Sequence, residues 1–233
     1  MIAEGDAYSR VNETIKQKDL NIYFNKYGGA WLPLYFSMMV SALSLLNNSH
    51  ITPRLITLVF SLSSCAALYF YTKEYTKDKI IALLSSFIYL IFPLRLFLST
   101  QTLSETIFIF FLLVSFTFLL KEKLNTYELI LTLLFVNIAH GIRYESWIIL
   151  PLIWIIVLSR KNSYKVKSLL IFSSTLFPLY WLYLNQIYTG NYLTFFNVKY
   201  EVAQSNKISQ YSNFYLSYKA WRDKLIPLFQ FHL

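Results

Sequence analysis

The sequence predicts an all-α fold, a polytopic transmembrane helical bundle of about six spanning helices plus an interfacial juxtamembrane helix. Three observations predict it. Of 233 residues, 56% are hydrophobic and only 14% charged, too little polar surface to clothe a domain of this length in water. The apolar residues gather in runs close to the roughly 20 that a helix needs to cross a bilayer core of about 30 Å. Charged residues fall between those runs, and the basic ones concentrate in alternate joints.

Taken in order, residues 1–52 read as an external loop. Its first 29 residues are polar, with Glu4, Asp6, Arg10, Glu13, Lys16, Lys18 and Asp19, so no cleavable signal is visible and the chain is expected to start on a loop. Residues 31–46 form a short apolar stretch opened by Trp31, Pro33 and Tyr35. Aromatic residues at its start and its shortness favour an interfacial helix over a span. The transmembrane bundle then occupies 53–188, with helices expected at 53–72, 79–94, 103–120, 126–142, 146–159 and 168–186. Pro151 and Pro178 fall inside the last two, where neighbouring helices can cover the freed carbonyls. Residues 189–233 read as a second external loop that ends in the start of a further apolar segment at 224–233, so both ends look incomplete.

Charge gives the bundle a direction. Loops 73–78, 121–125 and 160–167 alternate along the chain and hold eight Lys and Arg residues, against only Arg95 and Arg143 in 95–102 and 143–145. The basic loops are therefore expected in the cytoplasm. Provided 31–46 does not cross, residues 1–52 then lie outside together with 95–102, 143–145 and everything after 187.

Composition also excludes several classes. The net charge of +9 is dispersed among those joints and forms no single basic face, which argues against nucleic acid as a partner. The lone Cys65 cannot form an internal disulfide. His50, His140 and His232 show no ligand spacing, so no cofactor is expected, and a divalent metal is possible but unsupported. Neither a Gly-rich phosphate loop nor a dinucleotide fingerprint occurs, which leaves ATP or a nucleotide sugar unsupported as substrate.

The external side carries the charges that need explaining: Asp6 and Arg10, Arg95, Glu105, then Arg143 and Glu145. Each has a structural alternative. Glu105 could complement a helix start, Arg143 and Glu145 could pair or snorkel, and Asp6 could be merely solvated. Charges near membrane depth are costly, however, and these acids and arginines share one face across four segments, which makes them functional candidates.

Several short motifs resemble a known family in their order and spacing. They are Gly5-Asp6-Ala7-Tyr8-Ser9-Arg10, Trp31-Leu32-Pro33-Leu34-Tyr35, Pro53-Arg54-Leu55, Phe92-Pro93-Leu94-Arg95, Leu103-Ser104-Glu105, Arg143-Tyr144-Glu145-Ser146-Trp147 and Tyr188-Thr189-Gly190-Asn191. Together they resemble the N-terminal half of polytopic GT-C glycosyltransferases, in the branch similar to dolichyl-phosphate-mannose protein mannosyltransferases and the lipid A aminoarabinose transferase. The resemblance implies that Asp6 is the catalytic acid of the first external loop, that 31–46 is a juxtamembrane helix and that Glu105 is a second acid of the site. Ala7 departs from the Asp-Glu or Asp-Gly usual there, and the helix that precedes this loop in the family is not present in the sequence.

The expected activity is inverting transfer of a monosaccharide from a polyprenyl-phosphate carrier to an acceptor hydroxyl of a protein, lipid or glycan at the outer membrane face. Asp6 would take the acceptor proton. Arg10, Arg95 and Arg143 would hold the donor phosphate, with Glu105 and Glu145 orienting them or the sugar. The rivals are a lipid-linked sugar transporter, which needs charges nearer the midplane, and a non-catalytic membrane subunit or fragment.

Overall fold

The computed structural model describes residues 2–22, 31–121, 124–159 and 163–194. Residues 195–233 of the expected loop 189–233, with its apolar segment 224–233, and the loop cations Lys26, Lys123, Arg160 and Lys161 lie outside the described residues. Among the described residues there are eleven α-helices and no strand. They are α1 (Ile2–Asp19), α2 (Pro33–Leu46), α3 (Thr52–Thr76), α4 (Lys79–Ile91), α5 (Pro93–Thr100), α6 (Ser104–Leu119), α7 (Thr126–Ile142), α8 (Glu145–Ile148), α9 (Leu150–Ser159), α10 (Tyr164–Ser174) and α11 (Leu176–Thr189).

The largest departure from the sequence expectation is α1, which occupies most of the stretch expected to be a loop. Polarity alone does not prevent a helix. Pairs four residues apart close on one another: Arg10 Nε donates to Asp6 and Gln17 Nε2 to Glu13, each at 2.9 Å. Ala7, Arg10, Thr14 and Gln17 form the buried stripe that seats the helix.

Three prolines explain why expected spans break. Pro93 forces Phe92 into an extended conformation (ψ 122°), so the expected helix 79–94 becomes α4 and α5, bent by 60°. As a result, 95–102 is helical as far as Thr100, where a loop was expected. Pro151 cannot bond the carbonyl of residue 147, and the chain divides there into α8 and α9. Pro178 likewise clashes with the carbonyl of residue 174, and the expected helix 168–186 becomes α10 and α11, separated at Thr175. The expected spans without an interior proline form close to their expected bounds, as α3, α6 and α7. α7 matches 126–142, its start fixed by a capping box in which Asn125 and Glu128 bond each other's backbone N–H. α10 starts with the Ser163 side chain accepting from Val166 N–H.

Small residues let the central helices approach. Thr57, Ser61, Ser64 and Ala67 of α3 are buried at helical spacing, and the Ser64 hydroxyl reaches Thr106 O of α6 at 3.4 Å. Tyr35, Phe36 and Met39 of α2 meet Ile107 and Phe111 of α6 and Ala139 and Ile142 of α7 in one core. A second core joins Leu119, Val136, Ile153, Val157 and Leu170. Gly141 sits where α7 is most closely approached. A Cβ there would lie 2.5 Å from Leu34 Cγ and 2.9 Å from Phe177 Cε2.

By length and composition α3 is the one described helix able to cross a membrane alone, and the bent α4–α5 pair passes the same test if taken together. At 25 residues, α3 is roughly 37 Å long. α2, α6, α7 and α9 are shorter apolar helices.

Gly141→Ala should lower stability by about 1–3 kcal/mol, since leucine and phenylalanine side chains must move to admit the methyl group. Gly5→Ala, with open space around its Cβ, should raise it by about 1 kcal/mol. Thermal unfolding of the two purified variants reads both signs.

Candidate functional site

Four segments meet at one end of the bundle: α1, the start of α2, the turn into α6, and the turn from α7 to α8. Tyr35 joins the first three. Its hydroxyl donates to Thr102 O at 2.7 Å, and the Thr102 hydroxyl donates onward to Ala7 O of α1 at 3.1 Å. The ring is 1% exposed. Burial pushes the phenol pKa well above its usual value, Arg10 pulls against that shift, and Asp6 and Glu105 add to it. Three of the charges picked from the sequence therefore surround one side chain.

Arg10 is enclosed by aromatic rings. Its guanidinium carbon lies 5.3 Å from the centroids of both Trp31 and Tyr35, and its Nε donates to Asp6 Oδ2 at 2.9 Å. The arginine side chain is 8% exposed, the Asp6 side chain 36%. The pairing thus fixes a carboxylate that water can still reach.

Arg143 organises the other half of the site. The chain leaves the helix there, with Arg143 extended at the C-cap of α7. Its Nε and Nη2 donate to the two oxygens of Glu145 at 3.0 and 2.8 Å, a bidentate fork. Its Nη1 donates to Ser104 Oγ at 3.2 Å and pairs with Glu105 Oε1. Burial opposes the charge on Arg143, but the Glu145 and Glu105 carboxylates outweigh it and hold the guanidinium pKa above its usual value. Glu105 lies in the first turn of α6, where a carboxylate suits the helix dipole. Its second oxygen is buried without a partner among the described residues.

A buried scaffold supports this turn. The Ser146 hydroxyl donates to Arg143 O at 2.6 Å, and its oxygen lies 2.9 Å from His140 Nδ1, which donates to it in the Nδ1-protonated tautomer. Trp147 Nε1 bonds His140 O at 2.9 Å, and Trp181 Nε1 bonds the Tyr144 hydroxyl at 3.0 Å. His140 and Ser146 were not candidates from the sequence. Their signal was only a polar pair six residues apart, one member of it inside an apolar run.

Arg95 does not join the others. It is 7% exposed. Its Nη2 bonds Ser61 O, its Nη1 bonds Leu90 O at 3.4 Å, and its guanidinium carbon lies 5.2 Å from the Tyr89 ring. The break at Pro93 frees carbonyls in the last turn of α4, and Arg95 takes up one of them. Its role is to join α3, α4 and α5.

On the opposite flank of α1 lies a cleft of about 590 Å³ lined by Tyr8, Asn12, His50, Arg54, Gln101 and Thr102, among others. Asp6 and Arg10 project from one side of that helix and Tyr8, Asn12 and Ile15 from the other, as 100° per residue requires. Arg54 makes no ion pair among the described residues. Among those residues too, no three His, Cys, Asp or Glu side chains gather to hold a metal.

Comparison with family models, curated proteins and solved structures returned no match.

Arg143→Gln should destabilise the fold by about 2–3 kcal/mol, because it leaves the Glu105 carboxylate half-buried and unpaired. The cost stays below that of a fully buried pair because the Arg143 and Glu105 side chains retain 19% and 32% of their exposure. Adding Glu105→Gln should restore most of the loss. Denaturant titration of the single and double variants measures the coupling.

Proposed function

We propose that this chain is a polytopic membrane glycosyltransferase that uses a polyprenyl-phosphate sugar as donor, with Asp6 as base. The observation that carries this reading is the meeting of Asp6, Arg10, Glu105, Arg143 and Glu145 around Tyr35 and Ser104 at one end of an apolar helical bundle. Membrane placement is supported by the bundle's surface. Ile80, Leu83, Phe87 and Ile88 of α4 are 56–70% exposed, as are Ile155 of α9 and Phe172 of α10 at 64%. An apolar face this continuous is not left to water by soluble proteins. With lipid around it, the lysine-bearing joints face the cytoplasm and the acid-arginine end faces outward.

The chemistry asks for a base, a leaving-group site and an approach for lipid. Asp6 takes the proton of the acceptor hydroxyl as its oxygen bonds to the anomeric carbon. The bond from that carbon to the phosphate oxygen breaks, its electron pair leaves with the lipid phosphate, and the configuration inverts. Arg10 holds Asp6 in place. Arg143 is the phosphate group's partner. Glu145, with 49% of its side chain exposed, can swing into water, and a phosphate presents the same two oxygens to the vacated fork. Glu105 stays and keeps the guanidinium aimed. Arg95, engaged with carbonyls, has no part in this scheme. The cleft beside Tyr8 and Arg54 is large enough for the part of an acceptor remote from the reacting hydroxyl.

In proteoliposomes supplied with a polyprenyl-phosphate monosaccharide, Asp6→Asn should reduce transfer by roughly 10²–10⁴-fold, whereas Lys165→Ala should leave it unchanged. Transfer that survives Asp6→Asn removes Asp6 from the mechanism. Sidedness is read separately. In a Cys65→Ser background, Asp19→Cys should react with an impermeant maleimide from outside intact cells. Protection until lysis contradicts the orientation.

A further inference from the structure

At the lysine end of the bundle, far from the acid-arginine set, α3 and α6 diverge to leave a groove of about 340 Å³. Its floor and walls are apolar: Ala67 and Phe70 from α3, Val114 and Phe118 from α6. Lys73 and Lys121 stand at its mouth, one on each helix, together with Glu74.

The charges at that mouth do not cancel. Glu74 is already paired with Lys77, and Lys121 is paired with Glu128, so Lys121 keeps donors to spare while its own charge is balanced. Lys73 makes no ion pair among the described residues. Its ammonium rests 6.0 Å from the centroid of the Tyr69 ring, directed along α3. The surplus is one positive charge at the open end of an apolar slot between two helices. Lys73 also lies in the last turn of α3, where the helix dipole favours a cation.

We propose that this groove binds an anionic phospholipid, with its phosphate between Lys73 and Lys121 and one acyl chain lying along Ala67, Phe70, Val114 and Phe118. The match is of two chemistries at once. An apolar slot takes part of the tail, and an unbalanced ammonium at its mouth takes the phosphodiester. A zwitterionic lipid brings the same phosphodiester with its charge already balanced by its own ammonium, and a free phosphate brings no tail. The inference rests on the membrane placement of the bundle and is independent of glycosyl transfer.

The test is native mass spectrometry of detergent-purified protein exchanged into nanodiscs of phosphatidylglycerol and phosphatidylcholine with matched chains. The wild type should retain phosphatidylglycerol over phosphatidylcholine by about fivefold, the factor one lysine supplies near an anionic surface. Lys73→Gln should abolish that preference while lipid is still retained. Ala67→Leu, which fills the slot, should reduce retention of both lipids. Inorganic phosphate at millimolar concentration should not displace the lipid. Equal retention of the two lipids by wild type, a preference unchanged by Lys73→Gln, or displacement by phosphate alone each overturns the proposal. Protein that stays monodisperse without detergent and takes up no lipid overturns the membrane placement itself.

Discussion

Tyr35 is the joint on which the acid-arginine end of this protein depends. Its hydroxyl bonds the carbonyl of Thr102, whose own hydroxyl bonds the backbone of α1, and its ring supports the Arg10 guanidinium. A single buried side chain thus connects α1, α2 and the turn into α6. Without it the polar helix α1 would have little reason to stay, since its seat is one narrow stripe that includes a charged residue. The phenol suits the position because it offers a flat face to a cation and a donor at its tip, and both are used.

Two arginines with the same sequence credentials have opposite roles for a physical reason. Arg95 follows a proline that frees backbone carbonyls, and in an apolar setting an unmet carbonyl is costly enough to capture a guanidinium. Arg143 occupies a turn whose own carbonyl is met by Ser146, so its fork is free for side chains and is taken by two carboxylates. The local backbone decides which arginine is spent on carbonyls and which is left to carboxylates.

The same distinction governs how much was legible in the sequence. Helical class and the positions of α3, α6 and α7 were readable because apolar runs and caps are local signals. The prolines at 93, 151 and 178 were visible, but their effect was underestimated; each divides an expected span rather than being absorbed within it. α1 was missed because its helix is held by side-chain pairs and by a seat on α2, and a polar stretch announces neither. Charge parity singled out Asp6, Arg10, Arg95, Glu105, Arg143 and Glu145 together, but not which of them meet. The place of Arg95 and the scaffold of His140, Ser146 and Trp181 depend on contacts between helices, which no single run of residues records.

In the proposed function Arg143 is held for phosphate by carboxylates of unequal commitment: Glu105, partly buried, and Glu145, half in water. Titration of farnesyl phosphate into the protein in nanodiscs, followed by ³¹P NMR, measures that directly. Glu145→Gln should bind more tightly than wild type, because a competing carboxylate has gone, and Arg143→Gln should not bind. Weaker binding by Glu145→Gln, or binding that persists in Arg143→Gln, would contradict it.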